Sequence, residues 1–180
     1  LYLMKVLKND LELLSKKWEK RMSDKEFIEA HNEKYKDFQP FHQIMTVGFN
    51  PGVVIGKNVL IGKNCTIQPN VTIYDNVVIG DNCTIDSGAV LGAPGFSIHL
   101  IDGKSVALMQ VGGVRVGNGC QIGANSCIDR ASLEGHYTTL GDRVFIDNLV
   151  HVAHNVFIDN DTRIAPHVTV GGSSRIGERV

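Results

Sequence analysis

Large aliphatic residues recur every six positions along most of this chain. Ile55, Ile61, Ile67, Ile73, Ile79, Ile85 and Leu91 make the first run, and Val116, Ile122, Ile128, Leu140, Ile146, Val152, Ile158, Ile164, Val170 and Ile176 resume it. Two positions before each member of the first run stands a small or β-branched side chain: Val53, Val59, Cys65, Val71, Val77, Cys83, Ala89. Three positions after come Asn58, Asn64, Asn70, Asn76, Asn82 and Gly88, residue types that enter the left-handed backbone region most readily. In an extended segment alternate side chains share a face, so the aliphatic residue and the one two before it point inward together. The Asn or Gly then turns a corner. Three such sides make a coil of about eighteen residues, and stacked coils pair as parallel strands that bury their aliphatic residues on one another. A six-residue period is the mark of a parallel β-helix, an all-β solenoid.

Residues 1–45 follow a different rule. Leu7, Leu11, Leu14 and Trp18 fall at helical spacing, and Ser23 with Glu26 resembles a capping box ahead of Phe27, Ile28 and Tyr35. The expected organisation is a short α-helical N-terminal extension over 1–45 and a β-helix over 46–180. The six-residue pulse breaks twice, and breaks in a solenoid are where function is grafted. Residues 93–113 lack the inward pattern, with Asp102-Gly103 suited to a hairpin turn. Over 129–139 Glu134 occupies a slot due to an aliphatic residue, and the segment carries His136. Both loops are expected to project from the prism and border a groove.

Composition narrows the partners. The net charge of −1 and the absence of a basic run exclude a strong electrostatic partner such as nucleic acid or an anionic membrane surface. No apolar run is long enough to span a bilayer, so stable membrane insertion is not expected. Leu1 to Asp10 is too short and too charged for a signal peptide. Cys65, Cys83 and Cys120 fall at inward positions, where a free thiol is a small hydrophobe. Unpaired cysteines fit a reducing compartment, the cytoplasm.

Candidate chemistry gathers in Asp147-Asn148-Leu149-Val150-His151-Val152-Ala153-His154-Asn155. The repeat points Val150 and Val152 inward and His151 outward from a flat face, and it sets His154 at a corner. Eighteen positions after His154 is Gly172, and eighteen before it is His136. A neutral imidazole beside a backbone N–H is the minimum equipment for acyl transfer: the base takes a proton from the acceptor, and the N–H holds the oxyanion. Phe96 is read either as a groove-lining residue or as a loop aromatic packed on the prism.

Three stretches carry a family resemblance: Ser87-Gly88-Ala89-Val90-Leu91-Gly92-Ala93-Pro94-Gly95-Phe96, then Ile122-Gly123-Ala124-Asn125 with Ile128-Asp129-Arg130, and above all Asp147-Asn148 followed by Val152-Ala153-His154-Asn155. In order and spacing over about residues 53–180 they resemble the UDP-3-O-acylglucosamine N-acyltransferases of lipid A synthesis, within the hexapeptide-repeat acyltransferases. The resemblance implies a left-handed β-helix, a homotrimer, and active sites in grooves between subunits. It implies that His154 is the general base, that the Gly172 N–H is the oxyanion donor, and that Asp147 and Asn148 lie near His154 and the pantetheine arm. Members of that family carry a folded N-terminal domain that helps hold the uridine, where this chain has about 45 residues of expected helix. The chain also stops at Val180 inside a repeat. Either a trimmed piece or a relative using another nucleotide sugar or acyl length fits those departures.

The leading expectation is an N-acyltransferase of a bacterial cytoplasm. It takes an acyl group from a thioester of acyl carrier protein or coenzyme A, the co-substrate, with no bound cofactor and no metal. The acceptor is the amine of a nucleotide-linked amino sugar; His151, Asn155, His136, Phe96, Asp147 and Asn148 line the substrate and donor sites. An acetyl-coenzyme A-dependent sugar O- or N-acetyltransferase is the alternative within the class. A zinc-dependent trimer resembling γ-class carbonic anhydrases, with His151, His154 and His136 or His167 as ligands, is the alternative outside it. Zinc there needs three protein ligands converging within about 2.0–2.1 Å of the metal. An inert β-helix used for assembly is the structural alternative.

Overall fold

In the computed structural model residues 48–180 are described, all within the unit Gln43–Val180. The helices expected over 1–45 lie outside the described residues. The inward residues and the corners together explain why the unit closes as a three-sided prism. Each side is a six-stranded parallel sheet built from strands mostly of two residues. Face 1 carries Gly48–Phe49, Thr66–Ile67, Thr84–Ile85, Gln121–Ile122, Phe145–Ile146 and Arg163–Ile164. Face 2 carries Val54–Ile55, Thr72–Ile73, Val90–Ala93, Cys127–Asp129, His151–Val152 and Thr169–Val170. Face 3 carries Leu60–Ile61, Val77–Ile79, Gly113–Val116, Tyr137–Leu140, Phe157–Ile158 and Arg175–Ile176.

The register stacks like on like: Ile67 pairs with Ile85, Ile122 with Ile146, and Ile128 with Val152. Ile67, Ile73, Ile79, Ile85, Leu91, Ile122 and Ile128 are wholly buried, with Val71, Val77 and Ala89 filling the slots two positions before. Burial of a column of Ile and Val on every face supplies the apolar stabilisation that strands this short lack alone.

Corners turn through left-handed residues. Asn58, Asn64, Asn70, Asn76 and Asn82 have φ between 55° and 63°, and Gly88 continues the series. A second device secures the corners. The N–H one position before the left-handed residue is capped by a carboxylate or amide one coil on: Lys63 N–H by Asp81, Asp81 by Asn118, Asn118 by Asp142, and Asp142 by Asn160, at 2.7–2.8 Å. Cysteine uses the same ladder, with Cys65 Sγ donating to the Gly80 carbonyl, Cys83 to Gly117 and Cys120 to Gly141. All four cysteines are free.

The hairpin at Asp102-Gly103 forms as expected, Ile98–Ile101 pairing antiparallel with Lys104–Ala107. The second interruption is shorter than the pattern indicates. Glu134 is exposed in the loop, and the inward slot belongs to Thr138, fully buried within Tyr137–Leu140. An uncharged hydroxyl is tolerated there because Thr138 Oγ1 accepts the Asn155 N–H at 2.9 Å.

Candidate active site

Both interruptions leave the prism at one edge. Each starts from a face 2 strand, Val90–Ala93 or Cys127–Asp129, and returns on a face 3 strand, Gly113–Val116 or Tyr137–Leu140. The next coil rounds that edge with Ala153-His154-Asn155 and the following one with Gly171-Gly172-Ser173. His154 therefore stands immediately past two loops on the same edge.

The protonation of His154 follows from its neighbours. Asn155 Oδ1 accepts the Ser132 backbone N–H at 3.1 Å and the Ser132 hydroxyl at 2.8 Å. A backbone N–H only donates, so it fixes which end of the Asn155 amide is oxygen. That oxygen lies 3.0 Å from His154 Nδ1, which must then carry the proton. In the neutral ring the lone pair is then on Nε2. Asn155 is itself held at φ 60°, so the residue that turns the corner also sets the tautomer.

Nε2 faces Gly172. A Cβ at Gly172 would lie 2.7 Å from Nε2 and 2.8 Å from Cε1, so only glycine leaves room for the ring. Glycine also removes the corner cap that an Asp or Asn would provide. Among the described residues neither the His154 N–H nor the Gly172 N–H has an acceptor, and the Ser173 N–H instead donates to the His154 carbonyl at 2.8 Å.

A second imidazole is tied elsewhere. His151 Nε2 is 2.9 Å from Asp129 Oδ2, and the Asp129 side chain is 5% exposed. The Cys127 thiol, paired across the strands with His151, is pushed up to about 12 by burial and then by the Asp129 charge. Gly95 of the first loop wedges into this cluster. A Cβ there would lie 2.9 Å from Asp129 Oδ2, 3.1 Å from Gln110 Oε1 and 3.3 Å from His154 Cδ2. Its N–H donates to Gln110 Oε1 at 2.6 Å, and Gln110 Nε2 is buried without a partner.

Of the residues singled out by sequence, His154, Asn155 and Gly172 come together, with His151 one face away on Asp129. His136 is exposed, and the loop between it and His154 breaks the eighteen-residue stacking. Phe96 follows Gly95 and is 85% exposed. Asp147 and Asn148 stand at the preceding edge, between faces 1 and 2. There Asn148 Oδ1 caps the Ala124 N–H at 2.6 Å, and neither residue touches His154 within the chain. His167, at φ 62°, also turns that other edge. Among the described residues no three His, Cys, Asp or Glu converge as metal ligands. Ser132, Asp129, Gln110 and Gly95 were not legible as site residues, because loop lengths decide where they land.

Sequence comparison agrees with this architecture. Residues 58–93 and 137–172 match the family model described as bacterial transferase hexapeptide (six repeats), and residues 104–130 match the hexapeptide repeat of succinyl-transferase. The chain is a hexapeptide-repeat protein, and its coils fit a left-handed β-helix. It is 51% identical over 71 residues to UDP-3-O-acylglucosamine N-acyltransferase of Xylella fastidiosa (strain 9a5c), which is 39% of this chain and 20% of that protein. The enzyme of the same name from Xanthomonas campestris pv. campestris (strain 8004) is 49% identical over 71 residues, with the same coverage. The match thus spans about one-fifth of the length of those relatives. A solved UDP-N-acetylglucosamine acyltransferase of Francisella novicida is 24% identical with a TM-score of 0.48, covering 75% of this chain and 56% of that one.

Proposed function

We propose that this chain carries the β-helix of an acyltransferase that moves an acyl group from a carrier thioester to the amine of a nucleotide-linked amino sugar of the lipid A type. The observation that carries the reading is the placement of His154: Nδ1 lies 3.0 Å from Asn155 Oδ1, and Nε2 faces Gly172. The acceptor nitrogen attacks the thioester carbon as Nε2 takes its proton. The C–S bond breaks as the tetrahedral intermediate collapses to the amide, and the proton held on Nε2 is passed to the leaving thiolate. The unpaired N–H of Gly172 is the donor for the oxyanion. The named relatives support the acceptor class, and acyl carrier protein or coenzyme A supplies the thioester in a bacterial cytoplasm.

The site belongs to a homotrimer in this reading. Asp147 and Asn148 occupy the edge before face 2, whereas His154 occupies the edge after it, so the pair reaches the pantetheine arm at His154 only from a neighbouring subunit.

The test is acyl transfer by the chain and its His154→Ala variant, offered acetyl-coenzyme A and hydroxyacyl carrier protein with a panel of nucleotide amino sugars. Loss of a general base is expected to cost ~10² to 10⁴ in rate. Near-normal turnover by a folded His154→Ala protein removes the proposal. Transfer from acetyl-coenzyme A alone turns it into a nucleotide-sugar acetyltransferase.

A further inference from the structure

The edge that carries His154 holds another pair of side chains on earlier coils. Tyr74 turns the edge three coils before His154, and its side chain is 41% exposed. On the next coil Gly92, at φ 85°, packs so closely that a Cβ there would lie 3.2 Å from Tyr74 Cβ. The Gly92 carbonyl accepts Arg130 Nε at 2.7 Å. Arg130 lies one coil before His154, and its Cζ sits 5.8 Å from the centre of the Tyr74 ring. Among the described residues its two terminal nitrogens have no hydrogen-bond partner. Neither Asp129, which holds His151, nor Asp75, which accepts the Lys57 N–H at 2.6 Å, pairs with Arg130.

A guanidinium anchored through Nε alone, with its fork left over, suits a phosphate oxygen pair. The gap at Tyr74 lies at the outer limit of a cation–π contact, and the half-exposed ring offers a flat apolar face beside the guanidinium. Coils stack about 4.8 Å apart, so Tyr74 lies about 14 Å along the axis from His154 with Arg130 between them. That sequence of aromatic face, anion fork and base has the order and span of nucleobase, pyrophosphate and sugar.

We propose that Tyr74 and Arg130 form a binding site for a nucleoside pyrophosphate, the ring taking the nucleobase and the guanidinium the pyrophosphate. This rests on the acyl-transfer reading for its ligand class. A nucleotide sugar and coenzyme A share the pyrophosphate chemistry, so the test separates them.

Binding of uridine diphosphate, coenzyme A and inorganic pyrophosphate to the full 180-residue chain is measured by calorimetry. Arg130→Met is expected to weaken pyrophosphate and the better nucleotide at least ~10-fold, and Arg130→Lys, which keeps charge without the fork, to restore little of it. Tyr74→Leu is expected to weaken the nucleotide about 5-fold or more while leaving inorganic pyrophosphate within about 2-fold. Preference for uridine diphosphate assigns the site to the acceptor, and preference for coenzyme A assigns it to the donor. The site is overturned if none of the three binds, or if folded Arg130 and Tyr74 variants bind as the parent does. A parent chain that shows Arg130-dependent binding but transfers no acyl group counts against the acyltransferase reading alone, and one that transfers an acyl group but binds independently of Arg130 and Tyr74 counts against this site alone.

Discussion

Gly172→Ala is a small perturbation with a large expected consequence. The added methyl would lie 2.7 Å from His154 Nε2, 2.8 Å from Cε1 and 3.2 Å from Cδ2, distances that no Cβ sustains against a ring. Something must move, and the imidazole is the freer partner because Gly172 is exposed backbone pinned at the neighbouring Ser173 N–H by the His154 carbonyl. Gly172 does not sit in the left-handed region, so alanine costs no backbone strain. Replacing glycine at such a position stabilises a fold by roughly 0.4–1 kcal/mol through the unfolded chain. Stability should therefore hold or rise while the ring is displaced by about 1 Å, a misplacement that costs on the order of 10²-fold in rate. The Gly172 N–H survives the substitution, so the loss reports the ring's position and not the oxyanion donor. Two assays read it: kcat/KM for acyl transfer, and the His154 ring resonances by NMR, which depend on no assumption about substrate. A folded Gly172→Ala protein with parental kcat/KM and unshifted His154 resonances would refute the argument.

Asn155→Gly keeps the left-handed corner but removes the nearer acceptor for His154 Nδ1–H, leaving the Ser132 hydroxyl at 3.3 Å; a fold within about 1 kcal/mol of the parent and a fall of at least ~10-fold in kcat are expected, checked by denaturation and steady-state rates. Ile146→Ala, inside the buried column between Ile122 and Ile164, should cost ~2–5 kcal/mol in urea denaturation. Cys127, with its thiol pushed from 9.0 to about 12, should react with iodoacetamide at pH 8 about 10³-fold more slowly than a free cysteine, and the protection should vanish in denaturant. The Arg143–Asp161 pair holds the Asp161 carboxyl below its ordinary value, so its contribution is present above the unfolded pKa and is lost as pH falls through the lower, folded one. Both groups are exposed, so Asp161→Asn should shift the acid-unfolding midpoint slightly at low salt and not at all in 1 M salt.

The early coils were legible because one physical rule filled every slot with the same residue type. Ile at the inward position and Asn at the corner each solve a single local problem, and the structure returns both, φ values included. Later corners are turned by Arg143, Leu149, Asp161, His167 and Ser173, all at φ between 54° and 62°. Propensity does not announce these, since a left-handed non-glycine costs about 1–2 kcal/mol and is imposed by the stacked coils on either side. His154 and Gly172 share a corner because eighteen residues separate them with no interruption between. The eighteen-residue offset from His136 to His154 does not make them stack, because the second interruption adds six residues and shifts face 2 to an offset of 24, as Cys127 pairing with His151 shows. The Ser132 contact to Asn155 depends on where the shortened loop folds back, which no periodicity encodes.

The edge on which the loops, His154 and Gly172 meet is assembled from at least four successive turns, none of which holds the site alone. Residues far apart in the chain are joined only through layers stacked between them, and a solenoid's layers loosen independently. Fraying of turns outside that interval leaves the constellation whole, whereas slippage of a single turn within it separates base, tautomer lock and glycine slot at once. Activity thus reports the integrity of one block of the stack, and it should vanish on heating before the far turns lose their strands.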